Sequence, residues 1–220
     1  MDQTKKYDTI LFDWDGTLAQ TIDIWEEAFH NVFDSLHMPI NIDQATEKLW
    51  LDSAILNDFG IEHEGFFDLV YEKLSQNYTK TPLYQGTIDL LIKLKEKNIK
   101  LALVTSTRRK PVLEALVYHQ ISLYFQIVVA SEDVVSHKPS GEPYEMAMNQ
   151  LESSKDNSLI VGDSKFDLIA SQNAQIDSVL FLPGENEKHY KKEELLIYKP
   201  KYIINELSKI LEIIDNNYSS

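Results

Sequence analysis

The sequence predicts an α/β protein, in which a parallel β-sheet is flanked by helices and interrupted by a helical insert. Short apolar runs alternate with segments of helical periodicity along most of the chain. This alternation is the pattern of a parallel sheet covered by helices. It fails once, because a long interval without an apolar run separates the first strand from the second. A structureless loop of that length is implausible in a compact domain, so the interval is predicted to be helical.

The individual elements follow from local patterns. Five apolar runs are predicted as strands, at Thr9–Phe12, Lys100–Val104, Ile127–Ala130, Ser158–Val161 and Ser178–Leu182. Helical stripes lie between them, formed by Leu90, Leu91 and Leu94 in one helix and by Leu113, Leu116 and Val117 in the next. Pro143 suits the first turn of a further helix. The segment from Tyr202 to Ile214 is predicted as one C-terminal helix.

The insert is recognised by its own periodicity. Apolar residues recur at helical spacing from Ile22 to Leu36 and again from Phe66 to Leu74. We therefore predict a helical insert over residues 19–83, with residues 1–18 and 84–220 forming the sheet-containing core. No internal repeat or low-complexity stretch interrupts either part.

Composition excludes several classes of function. The 220 residues carry 21 Lys+Arg against 35 Asp+Glu, which gives a formal net charge of −14. That average field repels polyanions, so nucleic acid is not expected as a partner. Cysteine is absent, which excludes disulfides and thiolate chemistry. No segment has the roughly 20 apolar residues needed to cross a bilayer, and no signal peptide is recognisable. We expect a cytoplasmic enzyme without a membrane partner.

Two carboxylates directly follow the first strand. Asp13 and Asp15 are separated by one residue, so in extended backbone they point to the same side. Gly16 follows, where the backbone must turn. Taken alone, the Asp-Trp-Asp-Gly string fits a functional pair of carboxylates and a simple turn or helix cap equally well.

A second acidic cluster follows the fourth strand. Asp163 comes directly after the strand, and Asp167 comes one helical turn later. Because the carboxyl ends of parallel strands meet at one edge of the sheet, Asp13, Asp15 and Asp163 are expected to converge there. Carboxylate oxygens are the ligands that Mg²⁺ prefers. Asp167 also fits a capping box that begins with Ser164, so it has an alternative structural explanation.

Hydroxyl and cationic side chains complete this edge. Thr105 and Ser106 end the second strand, where hydroxyls and helix N-terminal amides bind phosphate oxygens. Thr107 fits better as a helix N-cap. Arg108 and Arg109 either hold a substrate anion or are solvated charges, and the sequence does not decide between these alternatives.

Four segments in this order, namely Asp13–Thr17, Val104–Ser106, Lys138-Pro139 and Gly162–Asp167, closely resemble the motifs of the haloacid-dehalogenase-like (HAD) phosphatases. The resemblance extends from Thr9 to Leu182. It implies a Rossmann-like core and identifies the insert as a small helical cap, as in phosphoglycolate phosphatase-like members.

The resemblance also implies roles for individual residues. Asp13 is expected to be the nucleophile that forms an aspartyl-phosphate, and Asp15 the general acid and base. Mg²⁺ is expected to bind the Asp13 carboxylate, the Asp15 backbone carbonyl and Asp163. Thr105, Ser106 and Lys138 would bind the phosphoryl group, and Asp167 would act behind the metal ligands.

The expected reaction is hydrolysis of a small phosphorylated metabolite. A phosphomutase of the β-phosphoglucomutase type is the enzymatic alternative, although such relatives usually carry Glu-Asp where this chain has Gly162-Asp163. A catalytically silent binding module is the alternative from another class, and it would predict a damaged motif. The sequence leaves the substrate, the cap residues that select it and the oligomeric state open.

Overall fold

The computed structural model describes residues 7–37, 56, 63–74 and 77–216. The chain divides into two compact units. The sheet unit comprises Met1–Gln20 and Pro82–Ser220, and the helical unit comprises Thr21–Thr81.

The sheet unit is built on six parallel strands. They are β1 (Thr9–Phe12), β2 (Lys100–Val104), β3 (Ile127–Val129), β4 (Ser158–Gly162), β5 (Asp177–Phe181) and β6 (Tyr202–Ile204). Their order across the sheet is β3-β2-β1-β4-β5-β6. This is the doubly wound order of a Rossmann-like sheet, which confirms the predicted fold class.

The strand order reverses between β1 and β4, at the centre of the sheet. Thr9 of β1 is in register with Lys100 of β2 on one side and with Ser158 of β4 on the other. In such sheets ligands bind beyond the carboxyl ends of the strands at this reversal point. The residues that follow β1, β2 and β4 are therefore the ones to consider as a site.

Eight α-helices accompany the strands in the described residues. They are α1 (Ile22–Ser35), α2 (His63–Leu74), α3 (Thr87–Glu96), α4 (Arg109–Tyr118), α5 (Glu142–Gln150), α6 (Lys165–Ala174), α7 (Lys192–Leu196) and α8 (Lys209–Ile214). Within these described ranges, no helix has the length and apolar character needed to span a membrane.

Apolar burial holds each unit together. In the sheet unit, Leu11, Val104 and Ile160 of three neighbouring strands pack in one cluster with Tyr144 of α5. In the helical unit α1 packs against α2, and the rings of Phe29 and Phe66 stack with their centroids 6.3 Å apart. Such pairs contribute roughly 0.5–1.5 kcal/mol beyond the burial of their area.

The prediction of one C-terminal helix from Tyr202 to Ile214 is wrong. Residues Tyr202–Ile204 form β6, which pairs with β5, and α8 begins only at Lys209. A short run of Tyr-Ile-Ile satisfies the apolar spacing of a helix and the β-propensity of a strand equally well. The segment forms a strand because pairing with the edge of β5 satisfies the backbone hydrogen-bonding groups of both segments.

The apolar stripe predicted for α4 is also partly wrong. The buried residues of this helix are Val112, Ala115 and Leu116, whereas Leu113 and Val117 are exposed. Helical periodicity located the helix but not its orientation about its own axis. The buried face of this helix includes Ala115, whose small side chain gives only a weak apolar signal in the sequence.

Candidate active site

The carboxyl edge of the sheet brings together residues from three separated segments. Asp13 follows β1, Thr105 follows β2 and Asp163 follows β4. The Asp13 amide donates to the carbonyl of Val161, and the Thr105 amide donates to that of Val129, so sheet pairing extends to each of these positions. Both aspartates and Thr105 are buried.

Lys138 connects two of the acidic segments. Its ammonium group donates to Asp13 Oδ1 at 2.6 Å, to Asp167 Oδ1 at 2.8 Å and to the carbonyl oxygen of Val104 at 2.9 Å. The side chain is only 4% exposed. An ammonium group has three protons, and all three have acceptors here. The lysine is therefore fixed in place as a point charge beside Asp13.

Asp167 contacts both the start of α6 and Lys138. Its Oδ2 accepts hydrogen bonds from the backbone amide and the hydroxyl of Ser164, which caps α6. Its Oδ1 accepts from Lys138 and from the hydroxyl of Tyr144 at 2.8 Å. Tyr144 was not singled out from the sequence, because one buried tyrosine in an amphipathic helix gives no signal of its polar contact.

Asp163 lies against the turn that follows Asp13. Its Oδ1 accepts a hydrogen bond from the Thr17 hydroxyl at 3.0 Å, and that hydroxyl lies 3.4 Å from Asp13 Oδ2. Gly16 has a positive φ of 78°, and a Cβ atom at this position would lie 2.2 Å from Asp163 Oδ2. The glycine is thus required twice, for its backbone conformation and for the space that the carboxylate occupies.

A buried amide holds the same turn from outside the four motifs. The side chain of Asn186, in the loop after β5, donates to the Gly16 carbonyl at 2.9 Å and accepts from the Tyr84 hydroxyl. Asn186 is 1% exposed. Neither residue was predicted to contribute, because only the folded chain brings positions 16, 84 and 186 together.

Asp15 faces a different set of groups from those around Asp13. Its Oδ2 accepts from the Thr107 hydroxyl at 2.7 Å, and the Thr105 hydroxyl lies 3.4 Å away. The interpretation of Thr107 as a helix N-cap is wrong, because α4 begins at Arg109 with Arg108 as its cap residue. Ser106, between the two threonines, is exposed and contacts neither acidic cluster in the hydrogen bonds of the described residues.

One of the two arginines considered from the sequence is engaged elsewhere. The guanidinium group of Arg109 pairs with Asp133 and donates to the carbonyl of Val128 at 3.0 Å. This contact anchors the start of α4 to the end of β3. Arg109 is therefore a structural residue in this arrangement.

Burial of three neighbouring carboxyl groups disfavours their charged forms. One carboxylate oxygen from each of Asp13, Asp163 and Asp167 lies within 4.8 Å of the others, and all three residues are buried. Burial raises the pKa of Asp13 to about 8, although Lys138 opposes this effect. Burial, together with Asp13 and Asp167, raises the pKa of Asp163 well above its usual range. Burial acts in the same direction on Asp167, but Lys138 outweighs it and the pKa falls.

These directions indicate a shortage of positive charge. Among the described residues, these three carboxyl groups share one ammonium group, so burial destabilises their charged forms unless a further cation compensates them. In addition, Asp163 Oδ2 is buried without a hydrogen bond of ordinary geometry among the described residues, and the nearby Tyr190 hydroxyl is the other polar group that interacts with this carboxyl group. A divalent cation bound by hard oxygen ligands fits both observations.

The fold and the site together define an α/β protein with a buried cluster of aspartates and one lysine at the switch point of its sheet. Residues 10–181 match the sequence profile of the haloacid dehalogenase-like hydrolases. The chain belongs to that family, and it is a hydrolase of the phosphatase type.

Individual relatives resemble nearly the whole chain. One relative is a protein of Caldanaerobacter subterraneus subsp. tengcongensis that is named as a pyrophosphatase PpaX. Its sequence is 31% identical to this chain, over 95% of each chain. The pyrophosphatase PpaX of Halalkalibacterium halodurans is 25% identical, over 94% of this chain and 96% of its own. The structure of a haloacid dehalogenase-like hydrolase from Bacteroides fragilis superposes on this chain with a TM-score of 0.81 at 25% sequence identity. The superposition covers 93% of this chain and 100% of the Bacteroides fragilis chain.

Proposed function

We propose that the protein is a Mg²⁺-dependent phosphatase that hydrolyses a small phosphomonoester through an aspartyl-phosphate on Asp13. The observation that carries this proposal is the Asp13 carboxylate, which is buried at the end of β1 and held by Lys138 at 2.6 Å. A second carboxyl group, that of Asp15, lies two residues away beside hydroxyl groups that suit phosphate oxygens. A nucleophile and a proton carrier are thus available on one turn of the chain.

The first half-reaction uses both carboxyl groups. An oxygen of Asp13 attacks phosphorus, and the bond from phosphorus to the ester oxygen breaks. The electron pair of that bond remains on the ester oxygen, which takes a proton from the Asp15 carboxyl group. The alcohol then leaves.

The second half-reaction restores the enzyme. A water molecule attacks the phosphorus of the aspartyl-phosphate and gives its proton to the Asp15 carboxylate. The bond between phosphorus and the Asp13 oxygen breaks, which releases inorganic phosphate and returns Asp13 to its carboxylate form. Each carboxyl group ends the cycle in its starting protonation state.

The remaining residues are proposed to stabilise the negative charge of the phosphoryl group during its transfer. The positive charge of Lys138 compensates the negative charges of Asp13 and of the incoming phosphoryl group, which would otherwise repel each other. The hydroxyl groups of Thr105 and Ser106 are the proposed donors to the phosphoryl oxygens. The exposure of Ser106 supports its role, because its hydroxyl is accessible to a ligand.

The proposed Mg²⁺ ligands are the carboxylates of Asp13 and Asp163 and the backbone carbonyl of Asp15. The Oδ2 of Asp163, which is buried without a hydrogen bond of ordinary geometry among the described residues, supports this set. Asp167 accepts hydrogen bonds from Lys138, Tyr144 and Ser164, and is proposed to orient Lys138 rather than to bind the metal. When bound, the cation would neutralise phosphoryl and carboxylate oxygens during transfer.

The test is turnover of p-nitrophenyl phosphate and of a panel of alkyl phosphates with MgCl₂ or with EDTA. We expect turnover only with the cation. Asp13→Asn should reduce kcat by roughly 10⁴-fold or more, since the nucleophile is lost, with an unchanged circular dichroism spectrum. Retained activity in this variant would exclude Asp13 as the nucleophile.

Metal binding has a readout that is independent of turnover. A ligand that binds only the folded state at 100 times its Kd adds about 2.7 kcal/mol to the free energy of unfolding. MgCl₂ should therefore raise the melting temperature of the wild type, and Asp163→Asn should lose most of this shift. An equal shift in both proteins would remove Asp163 from the ligand set.

Inorganic pyrophosphate is the second candidate substrate, because two of the relatives are named as pyrophosphatases. Its leaving group is phosphate rather than an alcohol, but the same attack by Asp13 applies. Comparing kcat/KM for pyrophosphate with the alkyl phosphate panel distinguishes the candidates. A phosphomutase would instead convert a sugar phosphate to its isomer without releasing phosphate.

A further inference from the structure

Thr107 contacts the proposed acid and base directly. Its hydroxyl lies 2.7 Å from Asp15 Oδ2, which is the shorter of the two threonine contacts to that oxygen. Thr107 is buried, at 3% exposure, whereas Asp15 is only half-buried. The contact therefore joins a buried residue to one that is partly exposed.

The backbone around Thr107 is held on both sides. Its amide donates to the Thr105 side-chain oxygen at 3.0 Å, and its carbonyl accepts from the amide of Ser131 at 3.1 Å. Ser131 follows β3, so the loop after β2 is tied to the neighbouring strand. The β-branched side chain of threonine adds stiffness at χ1. The hydroxyl is thus in position before a substrate arrives.

We propose that Thr107 is a positioning residue that orients Asp15 for proton transfer to the leaving group. This inference rests on the proposed phosphatase function. The Thr107 hydroxyl donates to Oδ2, so the proton that Asp15 delivers is carried on Oδ1. As that proton moves to the ester oxygen, negative charge develops on the carboxylate, and the hydrogen bond from Thr107 strengthens.

This role makes the contribution of Thr107 depend on the leaving group. An alkoxide is a poor leaving group and needs a proton as the bond to phosphorus breaks. A p-nitrophenolate is stable as an anion and needs little assistance. Phosphate binding or general folding, in contrast, would affect both kinds of substrate equally.

The experiment compares kcat/KM of Thr107→Val for p-nitrophenyl phosphate and for the best alkyl phosphate of the panel. General acid catalysis contributes roughly 10²–10⁴-fold, so partial misorientation should cost the alkyl phosphate about 10-fold more than the aryl phosphate. Both substrates are assayed on one preparation, so the ratio is independent of the folded fraction. Thr107→Ser keeps the hydroxyl and should restore the wild-type ratio. Thr107→Ala serves the same purpose if the valine variant does not fold.

A double-mutant cycle separates orientation of Asp15 from other effects. In an Asp15→Asn background there is no proton to orient, so Thr107→Val should not change the ratio further. Equal losses on both substrates, or a full additional loss in the Asp15→Asn background, would overturn the inference. A wild type that hydrolyses the aryl phosphate but no alkyl phosphate would also contradict it, while leaving the proposed function standing. Absence of turnover with every substrate would contradict the proposed function itself.

Discussion

Two clusters of aspartate, lysine and tyrosine lie at opposite edges of the same sheet. At the carboxyl edge, the site cluster consists of Asp167, Lys138 and Tyr144, with Asp13 as a further partner of the lysine. At the amino edge, the second cluster consists of Asp177, Lys201 and Tyr7. There the Tyr7 hydroxyl and the Lys201 ammonium group both donate to Asp177 Oδ2, at 2.6 and 2.7 Å.

The two clusters contain the same chemical groups at similar hydrogen-bond distances but differ in burial. The side chains of Lys138 and Asp167 are 4% and 2% exposed, against 39% and 26% for Lys201 and Asp177. Water screens the second cluster, so its ion pair contributes about 0–1 kcal/mol. The site cluster has no such screening, so each of its charges depends on its protein partners. Burial, rather than composition, therefore distinguishes the two clusters.

The largest difference between the two clusters is expected in the free energy of unfolding when the lysine of each cluster is replaced. Lys138→Met leaves Asp13 and Asp167 buried without their counter-charge, which should lower the free energy of unfolding by about 3–5 kcal/mol. Lys201→Met leaves a half-exposed carboxylate and should cost less than about 1 kcal/mol. Urea denaturation in EDTA measures both, and Lys138→Met should also lose its response to vanadate. Similar costs for the two variants would show that the site cluster is hydrated.

The second contrast concerns two glycines with positive φ. Gly16 has φ of 78° and faces Asp163 Oδ2, whereas Gly86 has φ of 85° with no heavy atom within 4 Å of the Cβ position. Gly86→Ala should cost about 1–2 kcal/mol, which is the backbone strain alone. Gly16→Ala should cost about 1–3 kcal/mol more, because the carboxylate must move.

The response to Mg²⁺ distinguishes the same two variants further. Gly16→Ala displaces Asp163 and should remove most of the Mg²⁺-dependent shift in melting temperature, whereas Gly86→Ala should keep it. Equal metal responses would mean that Asp163 adjusts without leaving its ligand position.

Sequence patterns predicted the sheet well because its strands are short, apolar and followed by polar residues. The positions of Asp13, Asp15, Thr105 and Asp163 at one edge follow from parallel pairing alone. Prediction was less successful where one pattern fits two structures, as with the Tyr202–Ile204 strand, which also has the spacing of a helix.

Contacts between distant segments were beyond prediction. Asn186 reaches Gly16 only because the loop after β5 lies beside the turn after β1, and its amide has no local signature. Thr107 was assigned to a helix end because threonine favours that position, yet its hydroxyl is used by Asp15. In both cases a polar side chain forms a hydrogen bond with a residue far away in the sequence, and the periodicity of apolar residues does not predict such contacts.

The smallest contrast is expected from the tyrosine hydroxyls. Tyr144→Phe removes a donor from Asp167 Oδ1 in a fully buried setting, and should cost about 1–3 kcal/mol because the carboxylate loses a partner that water cannot replace. Tyr7→Phe removes a donor from Asp177, which keeps Lys201 and is partly solvated, so a cost of about 0.5–1 kcal/mol is expected. Both substitutions preserve the ring, so packing is unchanged.

Ionic strength sharpens this last comparison. At 1 M NaCl the Debye length falls to about 3 Å, so interactions of exposed charges weaken while buried ones persist. The cost of Tyr7→Phe should therefore change as the Lys201–Asp177 pair is screened, because Asp177 then depends more on the remaining donor. The cost of Tyr144→Phe should stay the same in low and high salt. If both costs respond alike, the site cluster exchanges with solvent, and its ion pairs are screened like those of the second cluster.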